Sequence, residues 1–235
     1  MAATRLPGKP LLKINNLSII SHVFKRAEEA NIGEVVVATE DQEIFEDVLK
    51  NRGKAILTNR NHQTGTDRIF EAYKKLNIKN IDYILNLQGD EPDINKDDII
   101  NLNNFMIKQD AELGTLAAKI QDDKMLNNKN IVKVITDKKL VENNFPIALN
   151  FTRDNLSRDT QNIYHHIGIY SYKISILEKF VSLDQTNNEK KNKLEQLRAL
   201  DNKLKINVAL AKSSPIGVDT EEDYLAIKKI MEYKL

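Results

Sequence analysis

The sequence predicts an α/β fold, and two observations support this class. In the first third of the chain, apolar residues recur three times at the spacing of one helix face, in segments that contain Ile19, Ile44 and Ile69. Short apolar runs rich in β-branched residues alternate with these helices, which is typical of strands buried on both faces of a parallel sheet. These runs are residues 34–39, 55–58 and 83–87.

The second half of the chain predicts more strands with less helix between them. The predicted elements are strands at residues 113–120, 131–135, 148–151, 167–172 and 206–211, and helices at 173–181, at 194–203 and from about Thr220. The polar stretch 187–192 is expected to be an ordinary solvated surface. We therefore expect a mixed, mostly parallel sheet flanked by helices, in a single domain of residues 1–235.

Composition and charge exclude several classes of function. The 235 residues include 35 Lys and Arg against 34 Asp and Glu, and this balance argues against nucleic-acid binding and against a polybasic membrane anchor. The absence of cysteine excludes disulfides, thiolate metal sites and cysteine nucleophiles, and it is compatible with a reducing cytosol. No run approaches the ~20 apolar residues of a membrane span, and residues 1–10 lack the apolar core of a signal peptide.

Two segments have features that suit an anion. Residues 4–10 combine Gly8 with the cations Arg5 and Lys9, which suits a polyphosphate, although a terminus with incidental basic residues is the commoner meaning of such a pattern. In residues 62–68, a threonine can cap the following helix, whose N-terminus favours an anion, and Gly65 allows close approach of a ligand. An ordinary capped connection explains the second segment equally well.

Two acidic segments are candidates for a cation site. Asp90 and Glu91 follow the strand at 83–87, where ligands of open α/β sheets bind, and their oxygens suit a hard cation. A turn built from Gly, Asp and Pro is the alternative. Asp219 precedes the last helix, and there a plain helix cap, from Asp219 or Thr220, is the stronger explanation.

Histidines and a Glu-Arg pair complete the candidates. His165 and His166 are adjacent on a predicted strand, so their side chains point to opposite faces and do not chelate one metal together. With four histidines and no cysteine, we do not expect a zinc site. Glu195 and Arg198 are spaced for an ion pair on a helix surface.

Taken in order, these segments resemble the cytidylyltransferases that activate 3-deoxy-manno-octulosonate (Kdo). The resemblance covers nearly the whole chain and rests on eight segments in the family's order. They are residues 4–11, 62–68, 86–92, 130–134, 151–153, 166–170, 194–198 and 217–223.

The resemblance implies a Rossmann-like nucleotidyltransferase fold and a cytoplasmic homodimer, in which a small β-rich lobe at about 112–172 serves sugar binding and dimerisation. It implies transfer of CMP from CTP to the anomeric hydroxyl of Kdo, with Mg²⁺ as cofactor, giving CMP-Kdo and pyrophosphate for lipopolysaccharide synthesis. No nucleic acid or membrane is an expected partner.

The resemblance also implies roles for individual residues. The catalytic residues would be Lys9, Arg5 and Asp90, and the Mg²⁺ ligands Asp90 and Asp219. The nucleotide would be bound by Arg5, Lys9, Gly65, Thr66 and Arg68. The sugar would be bound by Gln88, Arg153, His166, Tyr170, Glu195 and Gln196.

Three departures from the family pattern leave alternatives open. The family's first strand, which ends in Pro-Ala-Arg, would precede Met1, so the resemblance implies a chain without that strand and its phosphate-binding arginine. The segment 154–159 is shorter than in the family, and Asn192 stands at an acidic position. The alternatives are a cytidylyltransferase for another acidic sugar of the sialic-acid type and a truncated, inactive nucleotide-binding remnant.

Overall fold

The structure is a computed structural model that describes residues 6–157 and 160–233, and these divide into two compact units. The first unit consists of the described residues up to Asn77, Leu87–Ile99 and the described residues from Pro215 onward. The second unit consists of Ile78–Asn86 and Ile100–Ser214. None of the described helices is long and apolar enough to cross a bilayer.

The elements alternate along the chain as the α/β prediction requires. A 3-10 helix, Lys9–Leu11, comes first. The strands are β1 (Lys13–Ile14), β2 (Leu17–Ser18), β3 (Val37–Thr39), β4 (Ala55–Leu57), β5 (Tyr83–Asn86), β6 (Leu113–Lys119), β7 (Lys133–Thr136), β8 (Ala148–Thr152), β9 (Ile163–Lys173) and β10 (Asn207–Leu210). The helices are α1 (Ile19–Ala30), α2 (Gln42–Lys50), α3 (Gly65–Leu76), α4 (Lys96–Gln109), α5 (Asp123–Leu126), α6 (Ile174–Val181), α7 (Asn187–Asn192), α8 (Leu197–Asp201) and α9 (Glu221–Glu232).

Helix ends follow from local side-chain caps. The Ser18 hydroxyl accepts a hydrogen bond from the Ser21 amide and starts α1, and the Thr64 hydroxyl does the same for α3. At α9, Thr220 and Asp223 form a reciprocal capping box. The helices predicted from periodicity are therefore confirmed, and the threonines, not Asp219, cap their helices.

The predicted strands of the first half are less buried than expected. Strands β3 and β4 pair in parallel, as predicted, but they form a two-stranded sheet by themselves among the described residues. In β3 only Thr39 is fully buried, and β4 contains no buried residue. Strands with a single hydrogen-bonded neighbour lack the cover of a sheet interior, so the prediction of burial on both faces is wrong here.

A six-stranded mixed sheet carries the core of the second unit. Its order is β10-β6-β9-β7-β8. Strand β5 lies outside this order and pairs with residues 170–173 of β9. The pair β10–β6 is parallel, whereas β5, β6 and β7 all pair antiparallel with β9. The mixed sheet flanked by helices is confirmed, but antiparallel pairs predominate where we expected mostly parallel ones, because the long strand β9 takes three antiparallel neighbours.

Residues 187–192 are the clearest local departure from expectation. They form the helix α7, with a capping box between Thr186 and Glu189, and the Glu189 side chain is buried. The prediction of a solvated surface is confirmed for Asn187, Asn188, Lys190 and Lys191, which are exposed. It is wrong for Glu189, because the buried Arg198 neutralises this carboxylate.

Candidate active site

Three charged residues from distant parts of the chain meet in the first unit. The Lys9 ammonium donates hydrogen bonds to Asp90 Oδ2 at 2.8 Å, to the Val218 carbonyl at 2.7 Å and to Asp219 Oδ1 at 3.2 Å. Asp90 and Asp219 are thus brought to one cation, although 129 positions separate them in the sequence. The local residue patterns indicated the two carboxylates singly, and only the family resemblance paired them as ligands of one Mg²⁺. The structure brings them together at Lys9.

The backbone holds the two carboxylates side by side. The Val218 amide donates to the Asp90 carbonyl at 2.9 Å, which ties the loop after β5 to the segment before α9. The Val218 side chain is fully buried in an apolar cluster with Ile14, Ile19 and Ile227. The residues next to Asp219 are therefore fixed by packing on one side and by a backbone hydrogen bond on the other.

Lys9 enters this cluster from the start of the 3-10 helix. Gly8 precedes it with φ at 70°, in the left-handed region that favours glycine. Burial alone lowers the pKa of Lys9, but Asp90 and then Asp219 more than offset this, so the pKa of Lys9 lies above its ordinary value. Lys9 is consequently a permanent cation in this arrangement.

The carboxylates also fit a divalent cation. The described residues contain no cluster of three or more His, Cys, Asp or Glu side chains that could hold a metal by themselves. Mg²⁺ is nevertheless commonly held by one or two carboxylates, with substrate phosphates and water supplying the other oxygens. Asp90 and Asp219, which already share one cation, are such a pair, and they remain 23% and 50% exposed.

The segment before α3 has the predicted helix cap. Thr64 is the cap, Gly65 begins the helix, and Thr66 is buried in its first turn. The Arg68 guanidinium donates to the Thr58 hydroxyl at 2.6 Å and forms an ion pair with Glu40. Arg68 is therefore held by the protein itself in this structure.

The remaining candidates divide between the two units. Gln88 is exposed in the first unit, and Arg5 lies outside the described residues. The second unit contains Arg153, His166, Tyr170, Glu195 and Gln196.

Two of these, His166 and Tyr170, are buried neighbours on β9. Their ring centroids lie 5.4 Å apart, and the Tyr170 ring is also close to that of Tyr172, at 6.1 Å. Burial, with smaller contributions from His165 and Arg153, lowers the pKa of His166 to about 3, and burial raises the pKa of Tyr170. Both side chains are therefore neutral near pH 7.

Hydrogen bonding defines the proton position on His166. The Thr115 hydroxyl has one proton, and its 2.6 Å contact with the Ile169 carbonyl uses that proton. The His166 Nε2 atom, 3.1 Å from the same hydroxyl oxygen, must then be the donor. This tautomer leaves the His166 Nδ1 atom as an acceptor. His165 instead contacts Ser214, which confirms that the two histidines point to different sides.

Arg153, Glu195 and Gln196 are the remaining candidates in the second unit. The Arg153 guanidinium donates to the Asn130 carbonyl at 2.9 Å. Gln196 is buried at the N-terminus of α8, and Glu195 is partly exposed. The hydrogen bond from Arg153 to Asn130 holds the guanidinium against the loop that precedes β7.

The interpretation of Arg198 as a surface residue is wrong. Arg198 is 2% exposed, and it forms a two-pronged ion pair with Glu189. Glu189 was expected only as part of the solvated stretch 187–192, and its burial against Arg198 was not predicted. The Thr-x-x-Glu pattern that begins at Thr186 is the signal of a capping box and could have indicated a helix there.

Comparisons with known proteins agree with one another. A family model described as cytidylyltransferase matches residues 1–206. The 3-deoxy-manno-octulosonate cytidylyltransferase of Rhodopseudomonas palustris strain BisB5 is 41% identical over 234 residues, which covers 99% of this chain and 95% of the relative. The protein of the same name from Thermodesulfovibrio yellowstonii is 41% identical over 245 residues, with 97% and 94% covered.

Solved structures give the same picture at the level of the fold. The structure of CMP:2-keto-3-deoxy-manno-octonic acid synthetase complexed with CTP matches with a TM-score of 0.88 and 33% identity, covering 99% of this chain and 95% of that one. An apo UDP-glucose pyrophosphorylase matches with a TM-score of 0.73 at 12% identity, which supports the fold alone.

Proposed function

This chain belongs to the cytidylyltransferase family and, within it, to the 3-deoxy-manno-octulosonate cytidylyltransferases, and we propose that it transfers CMP from CTP to Kdo. The products would be CMP-Kdo and pyrophosphate, used for lipopolysaccharide synthesis. The observation that carries the proposal is the cluster of Lys9, Asp90 and Asp219, which joins a permanent cation to two carboxylates in one place.

The reaction needs alignment and neutralisation of charge more than covalent help from the protein. The anomeric hydroxyl oxygen of Kdo attacks the α-phosphorus of CTP, and a new oxygen–phosphorus bond forms. The bond between the α-phosphorus and the bridging oxygen breaks, pyrophosphate leaves with that electron pair, and the hydroxyl proton is released. Negative charge therefore grows on the leaving pyrophosphate during the transfer.

Lys9 is the residue best suited to that charge. Its Nζ atom remains protonated because Asp90 and Asp219 raise its pKa above the ordinary value despite burial. A protonated amine on a flexible stem can contact a phosphate oxygen as a compact point charge. We assign Arg5 to the same triphosphate, on the resemblance of residues 4–11 to the family.

Asp90 and Asp219 would hold Mg²⁺, which neutralises phosphate charge and lowers the pKa of an oxygen bound to it. Their oxygens lie 2.8 Å and 3.2 Å from one ammonium nitrogen, so both carboxylates reach a common point. The remainder of the CTP site would be lined by the N-terminus of α3, where Gly65 and Thr66 lie, and by the Arg68 guanidinium.

The polar groups proposed to bind the sugar in the second unit suit an acidic ligand. Arg153 offers a guanidinium that can pair with a carboxylate in two-pronged fashion. Neutral His166, with Nδ1 as an acceptor, can receive a hydrogen bond from a sugar hydroxyl, and the Tyr170 hydroxyl can give one. Glu195 and Gln196 complete the sugar contacts proposed in this unit. Gln88 is proposed as a sugar-binding residue on the family resemblance alone.

We also propose the wider setting that the family implies. The chain would act as one nucleotidyltransferase domain of residues 1–235, with the lobe at about 112–172 serving sugar binding and dimerisation in a homodimer. A cytoplasmic location would suit an enzyme whose substrate is CTP.

The decisive experiment measures pyrophosphate release from CTP and Mg²⁺ with three acceptors in parallel, namely Kdo, a sialic acid and no sugar. We expect release with Kdo and at least tenfold less with the sialic acid. More release with the sialic acid than with Kdo would favour the alternative hypothesis of a cytidylyltransferase for a sugar of the sialic-acid type. No release with either acid, in protein that still binds CTP, would favour an inactive nucleotide-binding remnant.

A further inference from the structure

A buried ion pair joins α7 to α8 in the second unit. Arg198 Nε donates to Glu189 Oε2 at 2.9 Å, and Arg198 Nη2 donates to Glu189 Oε1 at 2.7 Å. The two side chains are 2% and 4% exposed. This planar, two-pronged contact fixes distance and orientation together, which a single hydrogen bond does not.

The ion pair closes a short turn that contains two proposed sugar contacts. Glu195 and Gln196 lie between the paired residues in sequence, in the turn that connects α7 to α8. The Arg198 amide donates to the Glu195 carbonyl at 3.0 Å, and the Leu194 amide donates to the Glu189 carbonyl at 3.3 Å. The backbone of the turn is thus anchored at both ends on the two residues of the ion pair.

The same ion pair rests on a column of aromatic rings. The Arg198 guanidinium carbon lies 4.7 Å from the centroid of the Phe180 ring. From Phe180 the column continues through Tyr172 and Tyr170 to His166, with successive centroids 5.9, 6.1 and 5.4 Å apart. The pair therefore contacts, through packed side chains, the other two buried residues proposed to bind the sugar.

We propose that Glu189 and Arg198 are positioning residues that hold Glu195, Gln196, Tyr170 and His166 in the geometry that binds the sugar acid. This inference rests on the proposed function, since it deepens the assignment of these four residues. Neither member of the pair is itself assigned to contact substrate. Burying two opposite charges is an unfavourable way to gain stability alone, and a rigid connection to binding residues accounts for their placement.

The first test is the variant Arg198→Lys, which keeps the charge but loses the two-pronged geometry. We expect KM for Kdo to rise at least tenfold, whereas KM for CTP stays within twofold of the unmodified protein. Equal KM values for Kdo in variant and parent would overturn the proposal, and so would equal increases in both KM values.

A double variant separates positioning from stability. Replacing the pair by Glu189→Met and Arg198→Met removes both charges at similar volume, a change that proteins often tolerate without loss of stability. We expect a folded protein whose KM for Kdo is still raised. Recovery of the parent KM together with the fold would overturn the proposal, and failure of both this variant and Arg198→Lys to fold would also overturn it, because the pair would then be structural.

The matched control lies on the same two helices. Asp201 accepts hydrogen bonds from Thr186 Oγ1 at 2.5 Å and from Asn188 Nδ2 at 3.2 Å, at an exposed position. Asp201→Asn weakens this outer link between α7 and α8 without touching the buried pair, and we expect both KM values to stay unchanged. A rise in KM for Kdo as large as that of Arg198→Lys would overturn a specific role of the buried pair.

Direct binding of Kdo, measured by calorimetry without CTP, keeps this proposal distinct from the proposed function. If the parent binds Kdo at least tenfold more tightly than Arg198→Lys but releases no pyrophosphate, the transfer reaction is refuted and the positioning role stands. If the parent is active and both proteins bind Kdo equally, the positioning role is refuted and the function stands.

Discussion

Replacing Lys9 by methionine should change metal binding and turnover in opposite directions. In the structure the Lys9 ammonium occupies the approach to both carboxylates, at 2.8 Å from Asp90 and 3.2 Å from Asp219. A divalent cation that takes the same oxygens must displace this charge. The variant Lys9→Met removes the competing charge while it keeps an unbranched side chain that is one atom shorter.

The expected size of the effect follows from these distances. With the dielectric constant of water, the two attractions sum to about 3 kcal/mol, and pairs exposed to solvent are measured at about 1 kcal/mol or less. Because Asp219 is half exposed, we take about 1.5 kcal/mol, which is about tenfold in a dissociation constant. Turnover should meanwhile fall by about a hundredfold or more, since the variant lacks the charge proposed to stabilise the leaving pyrophosphate.

Calorimetric titration with Mg²⁺ in the absence of CTP measures the affinity for the metal, and pyrophosphate release measures turnover. Lys9→Arg is the matched control, because it keeps a cation beside the carboxylates and should not tighten metal binding. If Lys9→Met binds Mg²⁺ no more tightly than the parent, the competition between ammonium and metal for Asp90 and Asp219 is refuted.

Three further predictions test the site and the packing. Asp90→Asn should lower turnover by about a hundredfold or more, since each ~1.4 kcal/mol of lost transition-state stabilisation is tenfold, with the thermal midpoint nearly unchanged; unaltered turnover would remove Asp90 from the metal site. His166 has a pKa of about 3 when folded against about 6.5 when unfolded, so its stabilising contribution is present above pH 6.5 and is lost as the pH falls toward 3. Between pH 6.5 and 5 this loss amounts to about 2 kcal/mol in the free energy of unfolding. Urea unfolding of His166→Gln should lack this part of the decrease. Equal decreases in the variant and the parent would contradict the prediction. A methyl group at Gly114 would lie 2.5 Å from Met106 Sδ, so Gly114→Ala should lower the free energy of unfolding by about 1–3 kcal/mol, whereas Gly33→Ala, with open space around it, should leave urea unfolding almost unchanged.

Several helices could be predicted because their signals are local. In α1 the apolar spacing from Ile19 and the cap at Ser18 both act within a few residues. Helix α9 begins at a Thr-x-x-Asp pattern, in which Thr220 and Asp223 form a capping box within four residues. The same kind of signal was available for α7, where Thr186 and Glu189 form a capping box. Composition correctly suggested a polar stretch there, but burial of Glu189 depends on Arg198, which a local pattern does not pair with it.

Strand pairing and the site geometry depend on contacts between distant residues. The run that forms β5 was predicted as a strand, yet its antiparallel partner β9 begins 80 positions later and no local pattern names it. The sequence by itself determined the α/β class, the approximate positions of several helices and the residue types that resemble the family's motifs, because these follow from periodicity and short-range hydrogen bonds. Only the tertiary structure decided that Lys9 lies between Asp90 and Asp219 and that Arg198 is buried on Glu189, because the free energy of bringing charges together depends on the packing around them.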